Sequence, residues 1–139
     1  MSAMLKTRRD VLMRIGFTGT SQGMTERQKI GLSDLLSSYV AAILHHGDAI
    51  GADAEAHDIA IELGFAVVIQ PAVETQRAFK TAADIRAAKP YLVRNKDIVR
   101  ETALLIAAPA EPVEQLRSGT WSTVRYARRL GRRIRLLRP

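Results

Sequence analysis

Short apolar runs alternate along this chain with longer stretches in which apolar residues recur every three or four positions, a pattern that predicts strands alternating with helices. Leu12 to Phe17 is apolar around Ile15 and suits a buried first strand, and Thr18 to Gly23 follows as a turn of small and hydroxyl residues. Thr25 stands three positions before Gln28, the capping-box spacing, and Ile30, Leu35, Leu36 and Tyr39 then fall roughly on one helical face. Ala41 to His46 predicts a second strand. Ala52, Ala56, Ile59, Ala60 and Leu63 mark an amphipathic helix that Gly64 closes, and Phe65 to Ile69 is a continuous, largely β-branched third strand. The pattern weakens from Pro71 to Lys89, an excursion read with one short helix around Gln76 to Ala88. Pro90 suits the first turn of a helix reaching about Glu101, and Ala103 to Ala108 is an uninterrupted apolar run ended by Pro109, which fits a central strand. A last helix from Thr120 to Leu130, stopped at Gly131, and a strand from Ile134 to Leu137 complete the pattern. Strands linked by helices pair in parallel through right-handed crossovers, so the expected fold class is α/β: one three-layer Rossmann-like domain with a mainly parallel sheet.

Composition narrows this. The chain has 139 residues, 47% of them hydrophobic, enough for one core; residues 1–12 read as a short tail and residues 13–139 as the domain. The absence of cysteine excludes disulfides, thiolate metal sites and cysteine nucleophiles and fits a cytoplasmic setting. No apolar stretch is long enough to span a membrane. The net charge of +7 is concentrated: from Arg117 onward there are eight arginines and no acid, whereas the preceding 116 residues carry 13 basic and 14 acidic side chains. Such a patch serves nucleic acid, an acidic small ligand or an acidic partner, or is a solvated face.

Three glycine-containing turns each follow a predicted strand and precede a predicted helix: Phe17 to Gly23, His46 to Asp53, and Arg117 to Thr123. The first amides of a helix lack intrahelical partners and sit at its positive end, so a turn of glycines and hydroxyls there can wrap an anion. In parallel α/β sheets such turns gather at the carboxyl ends of the strands. The candidate nucleotide contacts are Gly19, Thr20 and Ser21; Gly47, Asp48, Gly51, Ala52 and Asp53; and Pro109, Ser118, Gly119, Thr120 and Trp121. The same glycines serve equally as backbone punctuation, and the hydroxyls as plain helix caps. Asp48 and Asp53 suit ribose hydroxyls or a cation, and Asp53 also complements a helix N-terminus. The Trp121 ring suits stacking on a base or packing in a core or interface. Arg125, Arg128, Arg129 and Arg132 share one face of the last helix and form the candidate nucleic-acid stripe. His45, His46 and His57 lack a convincing ligand spacing, so neither a metal nor a cofactor is expected.

Gly47-Asp48-Ala49-Ile50-Gly51-Ala52-Asp53, the pair Arg94-Asn95, and Ser118-Gly119-Thr120 occur in this order, and together they resemble the SLOG superfamily, which includes the LOG phosphoribohydrolases and the DNA-processing DprA proteins. The first turn is similar to the HG-x-x-x-GAD turn of the YpsA-like branch, Arg94-Asn95 to its RN pair, and Ser118 to Thr120 to the superfamily's Gly-Gly-x-Gly-Thr loop. The resemblance implies a Rossmann-like fold, a nucleotide or nucleotide-derived ligand, a homodimer, and a place for Arg94 and Asn95 in the site, Arg94 as the catalytic residue of any hydrolysis. It departs at Thr123, which stands where the LOG motif carries its glutamate. Nucleotide binding by a sensor or processing protein is therefore the leading expectation. Hydrolysis of the N-glycosidic bond of nucleoside monophosphates, and DNA processing through the arginine stripe, are the alternatives.

Overall fold

The computed structural model describes residues 12–139, so the expected tail lies outside the described residues except for Leu12. Ten elements follow one another: β1 (Met13–Gly19), α1 (Glu26–Ser37), β2 (Ala42–His46), α2 (Ala52–Glu62), β3 (Ala66–Ile69), β4 (Asp84–Ile85), α3 (Tyr91–Arg100), β5 (Leu104–Ala108), α4 (Gly119–Arg129) and β6 (Arg133–Leu136). The strands form one sheet in the order β4-β3-β2-β1-β5-β6, with every neighbouring pair parallel. The expected three-layer Rossmann-like α/β fold is the observed one.

Alternation along the strands builds two cores. Ile15 and Phe17 of β1 and Leu104, Ile106 and Ala108 of β5 point to one face, where Leu32 and Leu36 of α1 and Ala52, Ala56 and Ala60 of α2 cover them. Leu105 and Ala107 of β5 point the other way, against Val99 of α3 and Trp121, Val124 and Ala127 of α4. β5 is buried on both faces, which is why it reads as a continuous apolar run. The helix ends are specified locally. Thr25 and Gln28 exchange both bonds of a capping box at α1, and the Ser118 hydroxyl accepts from the Trp121 amide at α4. At the other ends of α2 and α4, paired bonds around Gly64 (Gly64 N to Ile61 O, Phe65 N to Ala60 O) and Gly131 (Gly131 N to Arg128 O, Arg132 N to Ala127 O) form Schellman motifs.

The excursion corrects the expectation. No helix forms between Gln76 and Ala88; the segment instead contributes β4, which pairs with β3 at Val68 and Ile69. The chain there is held out of a helix by its neighbours: Gln76 O accepts from the Ile50 amide, the Ala78 amide donates to Asp48 O, and the Lys80 amide donates to Asp48 Oδ1. These tertiary bonds use the backbone groups a helix would need, and they override the alanine-rich local preference. Among the described residues no helix is long and apolar enough to cross a membrane.

β1 and β5 lie side by side, but α1 leads away from β1 toward β2 on one side and α4 leads from β5 toward β6 on the other. The chain therefore parts at the carboxyl ends of β1 and β5. This is where an open α/β sheet leaves a crevice.

Candidate functional site

A cleft of about 360 Å³ fills that crevice. Gly19, Thr20 and Ser21 from the β1–α1 turn form one wall, and Ser118, Gly119 and Thr120 at the start of α4 form another. Gly47 and Asp53 lie on the floor with Arg94 and Asn95 of α3. These ten candidate residues from distant parts of the chain are brought together.

The start of α4 is the open donor set. Ser118 caps the Trp121 amide, and among the described residues the Gly119 and Thr120 amides have no protein partner. A side chain grafted at Gly119 would meet nothing nearer than Tyr91 Cε2 at 4.0 Å, so the helix terminus faces open cleft. The start of α2 differs. Its Ala52 amide donates to Thr20 O, and the Asp53 carboxylate accepts from the Gly47 and Ala49 amides, each at 3.2 Å. The turn expected to wrap an anion has thus enclosed one of its own.

Arg94 explains Gly47. The guanidinium is 7% exposed and lies across the turn, with Nη1 donating to Gly47 O at 2.8 Å and Gln70 O at 3.2 Å and Nε donating to Asn95 Oδ1 at 2.7 Å. A Cβ at position 47 would sit 2.0 Å from Nη1. Nη2 has no bond to the described residues. Burial pushes the Asp53 carboxyl up to about 6, against the pull of Arg94 and of the two amides. Burial also lowers the Arg94 pKa, with Asp53 and Glu74 opposing. The floor therefore holds a fixed cation beside a carboxyl whose titration is shifted toward neutral pH.

Five candidates do not reach the cleft. Asp48 is fully buried and spends its carboxylate on Arg77 Nε at 3.0 Å and the Lys80 amide at 3.0 Å, so it anchors the excursion instead of meeting a ligand. Gly51 packs against Ser21, whose carbonyl oxygen would lie 2.4 Å from an added Cβ, and Ala52 is buried behind it. Pro109 accepts from Gln28 Nε2 at 2.7 Å and tethers the end of β5. Trp121 is turned into the core against Val99, Leu105 and Ala107, not toward the cleft. The arginine stripe is also divided: Arg125 and Arg128 bind Glu114, whereas Arg132 donates to the Val99 and Arg100 carbonyls.

Several lining residues lay outside the sequence candidates. Tyr91 opens α3, Thr75 comes from the excursion, and Glu111 stands two residues beyond Pro109. Glu111 and Tyr91 were findable by their proximity to a strand end and a helix start, but Thr75 is placed by tertiary bonds on either side of it, from the Tyr91 amide to Glu74 and from the Ala78 amide to Asp48. Thr123 lines the cleft too, with its hydroxyl donating to Gly119 O at 2.9 Å. The histidines are structural: His45 bonds Gln70 and Arg14, His46 bonds His57, and the described residues hold no cluster of three or more groups suited to a metal.

No protein-family model matches the chain, and no curated protein matches it. Solved structures do. The molybdenum cofactor binding protein from the phototrophic bacterium Rippkaea orientalis is 16% identical, with 91% of this chain and 76% of that one covered and a TM-score of 0.68. DNA processing protein A (DprA) from Streptococcus pneumoniae is 17% identical with a TM-score of 0.67; 90% of this chain covers half of that one. The Moco carrier protein from Chlamydomonas reinhardtii is 21% identical, with 91% and 76% covered and a TM-score of 0.66. The chain shares their Rossmann-like α/β fold.

Proposed function

We propose that this protein binds a nucleotide or nucleotide-derived small molecule in the cleft between β1 and β5, as a sensor or processing protein. One observation carries the reading: open helix-terminal donors at Ser118 to Thr120, the buried Arg94 guanidinium and the Asp53 carboxyl all line a single cleft. Its volume of about 360 Å³ falls within the roughly 300–1,000 Å³ of small-molecule sites. A phosphate sits on the amides and hydroxyls at the start of α4, with Thr20 and Ser21 opposite. Asp53 and Asn95 take ligand hydroxyls, and Arg94 Nη2 meets a second anionic or carbonyl group. The likeness of the GAD turn and of Arg94-Asn95 to the YpsA-like branch supports this reading, as does the presence of a molybdenum cofactor binding protein among the fold's other users. The same resemblance supports a homodimeric assembly.

A thermal-shift panel of nucleoside mono-, di- and triphosphates, NAD, ADP-ribose and cyclic nucleotides tests it. A ligand at about one hundred times its dissociation constant adds roughly 2.7 kcal/mol. One chemical class is expected to raise Tm in the native chain and not in Arg94→Ala; no shift from any of them refutes the small-nucleotide reading.

A second reading, hydrolysis of an N-glycosidic bond, is favoured by one feature. Although Thr123 replaces the LOG carboxylate, Asp53 and Glu111 both line the cleft, the first with a pKa pushed up to about 6 by burial. Carboxyls whose environments differ can divide acid and base roles. Release of free base from a stabilising nucleoside monophosphate, lost in Asp53→Asn, distinguishes turnover from binding alone.

A further inference from the structure

The opposite end of the sheet carries a second surface that the cleft does not explain. At the amino ends of β1, β5 and β6 an open groove of about 650 Å³ is lined by Arg14, Arg100, Arg132 and Arg133. The one acid lining it, Glu101, is already held by Arg86 at 2.9 Å and by Gln70 at 2.9 Å. Arg100 also belongs to a cluster on the outer face of α3 and α4, where Lys96, Arg100 and Arg129 each approach the Tyr126 ring, at 5.5, 5.7 and 5.7 Å from its centroid. Among the described residues none of Arg14, Lys96, Arg100, Arg129, Arg132 and Arg133 lies within ion-pair distance of a carboxylate. Gathering like charges without counter-charges is unfavourable in the free chain, and a polyanion relieves it.

We propose that this groove and the adjoining Tyr126 face form a track for the phosphodiester backbone of a nucleic acid, separate from the nucleotide cleft. Five of its six cations are arginines; Arg132 and Arg14 spend part of their donors on the Val99 and Arg100 carbonyls and on His45, while the planar forks of Arg100, Arg129 and Arg133 match phosphate oxygens. The track runs from the groove onto a helix face, which fits a chain of phosphates better than one compact anion. Tyr126 is half-buried and ringed by cations, and no exposed row of aromatics accompanies it. Contact is therefore with backbone and not with bases, so binding is indifferent to sequence and sensitive to salt. Arg125 and Arg128, the first half of the stripe legible in the sequence, are neutralised by Glu114 and stay outside the track.

Fluorescence anisotropy of a labelled mixed-sequence oligodeoxynucleotide, single-stranded and as duplex, tests this on the full chain. Affinity is expected to fall at least about tenfold between about 50 and about 200 mM salt. Arg100→Glu/Arg133→Glu should weaken binding by a further factor of about ten or more at low salt, while the charge-matched Arg27→Glu/Arg138→Glu, on exposed sites away from the track, should change it less than about threefold. Circular dichroism checks folding, and Lys96→Gln/Arg129→Gln supplies the same readout should the first double variant not fold. The proposal is overturned by absence of binding at low salt, or by equal loss in the charge-matched control, which would mean diffuse attraction only. Equal competition by polyglutamate of matched charge would also overturn it, in favour of an acidic protein partner.

Discussion

Asp53 is the residue on which the cleft's pH behaviour turns. Its ordinary carboxyl value of 3.8 is raised to about 6 in the fold, chiefly by burial. Below about 4 both folded and unfolded chains hold the proton; between about 4 and 6 only the folded chain does, so this group's contribution to stability is lost as pH rises through that window. The cost above pH 6 is on the order of 3 kcal/mol. Asp53→Asn, whose amide oxygen can still accept from Gly47 and Ala49, should therefore gain stability relative to the native chain at pH 8 but not at pH 4; urea unfolding at both pH values checks it, and an equal gap at both would contradict the assignment. Gly119 offers a cleaner probe of occupancy. Because its Cβ direction meets open cleft and only Tyr91 beyond, Gly119→Leu should leave Tm nearly unchanged while abolishing any ligand-induced shift in the thermal panel. A Gly119→Leu protein that still responds would move the ligand elsewhere.

Among the elements, two couplings hold the site in place. β2 is joined to α2 by His46 and His57. The Asp48 amide donates to His46 Nδ1, so the His46 proton resides on Nε2 and is donated to His57 Nδ1 at 2.9 Å. Protonating either ring sets two donors face to face. Burial, followed by the neighbouring His57, pushes His46 down to about 3, and burial lowers His57 as well. Since the unfolded His46 ring binds a proton below about 6.5 and the folded one only below about 3, stability should fall as pH drops from about 6.5 toward 3, by up to about 1.4 kcal/mol per unit for this group, and the lowered His57 acts in the same direction. Asp53 works in the opposite sense over part of this range, so the histidine effect is best read in Asp53→Asn, where the acid-side decline in urea midpoint should be steeper than in the native chain. The second coupling is Gln28, 1% exposed, whose Nε2 donates to Pro109 O and Leu137 O while its Oε1 accepts from the Thr25 amide. One side chain thereby ties α1 to the end of β5 and to the C-terminal segment. Gln28→Ala leaves two buried carbonyls without their donor and should destabilise by about 2 to 4 kcal/mol, measured by urea unfolding; a loss under about 1 kcal/mol would mean that water replaces the amide.

At the scale of the whole molecule, the cleft and the basic groove occupy opposite ends of one sheet, the first at the carboxyl ends of the strands and the second at their amino ends. No side chain lines both. With two independent sites on a rigid sheet, the coupling free energy is close to zero. Arg94→Ala should therefore leave oligonucleotide affinity unchanged, and Arg100→Glu/Arg133→Glu should leave the nucleotide-induced shift unchanged. Cross-effects greater than about fivefold in either direction would show that the two ends communicate.

Apart from β4, the order and type of the elements were determined by the sequence itself, because each rests on short-range physics. The alternating faces of β1 and β5, the Thr25–Gln28 box and the closures at Gly64 and Gly131 are local patterns with local causes. The cleft was half-legible for the same reason: glycine turns after strands in a parallel sheet meet at one end, which brought Gly19, Gly47 and Gly119 together. What each polar residue does there was decided only by tertiary structure. Asp48 and Asp53 are five positions apart in one turn, yet Asp48 is consumed by Arg77 and the excursion while Asp53 faces Arg94 across Gly47. Trp121 and Thr120 are adjacent, yet a helix turns one into the core and leaves the other on the cleft. The excursion itself had a helical composition and became a strand, because its hydrogen-bond partners lie outside it, on Asp48 and β3. Charge behaved likewise: sequence located eight C-terminal arginines, but only the path of the β5–α4 loop decided that Arg125 and Arg128 are neutralised by Glu114, and only the packing of α3 beside α4 brought Arg129 together with Lys96 and Arg100 on Tyr126. Periodicity reports which face of an element is buried; it holds no information on which partner a polar group finds, since that depends on distances set only when the elements pack.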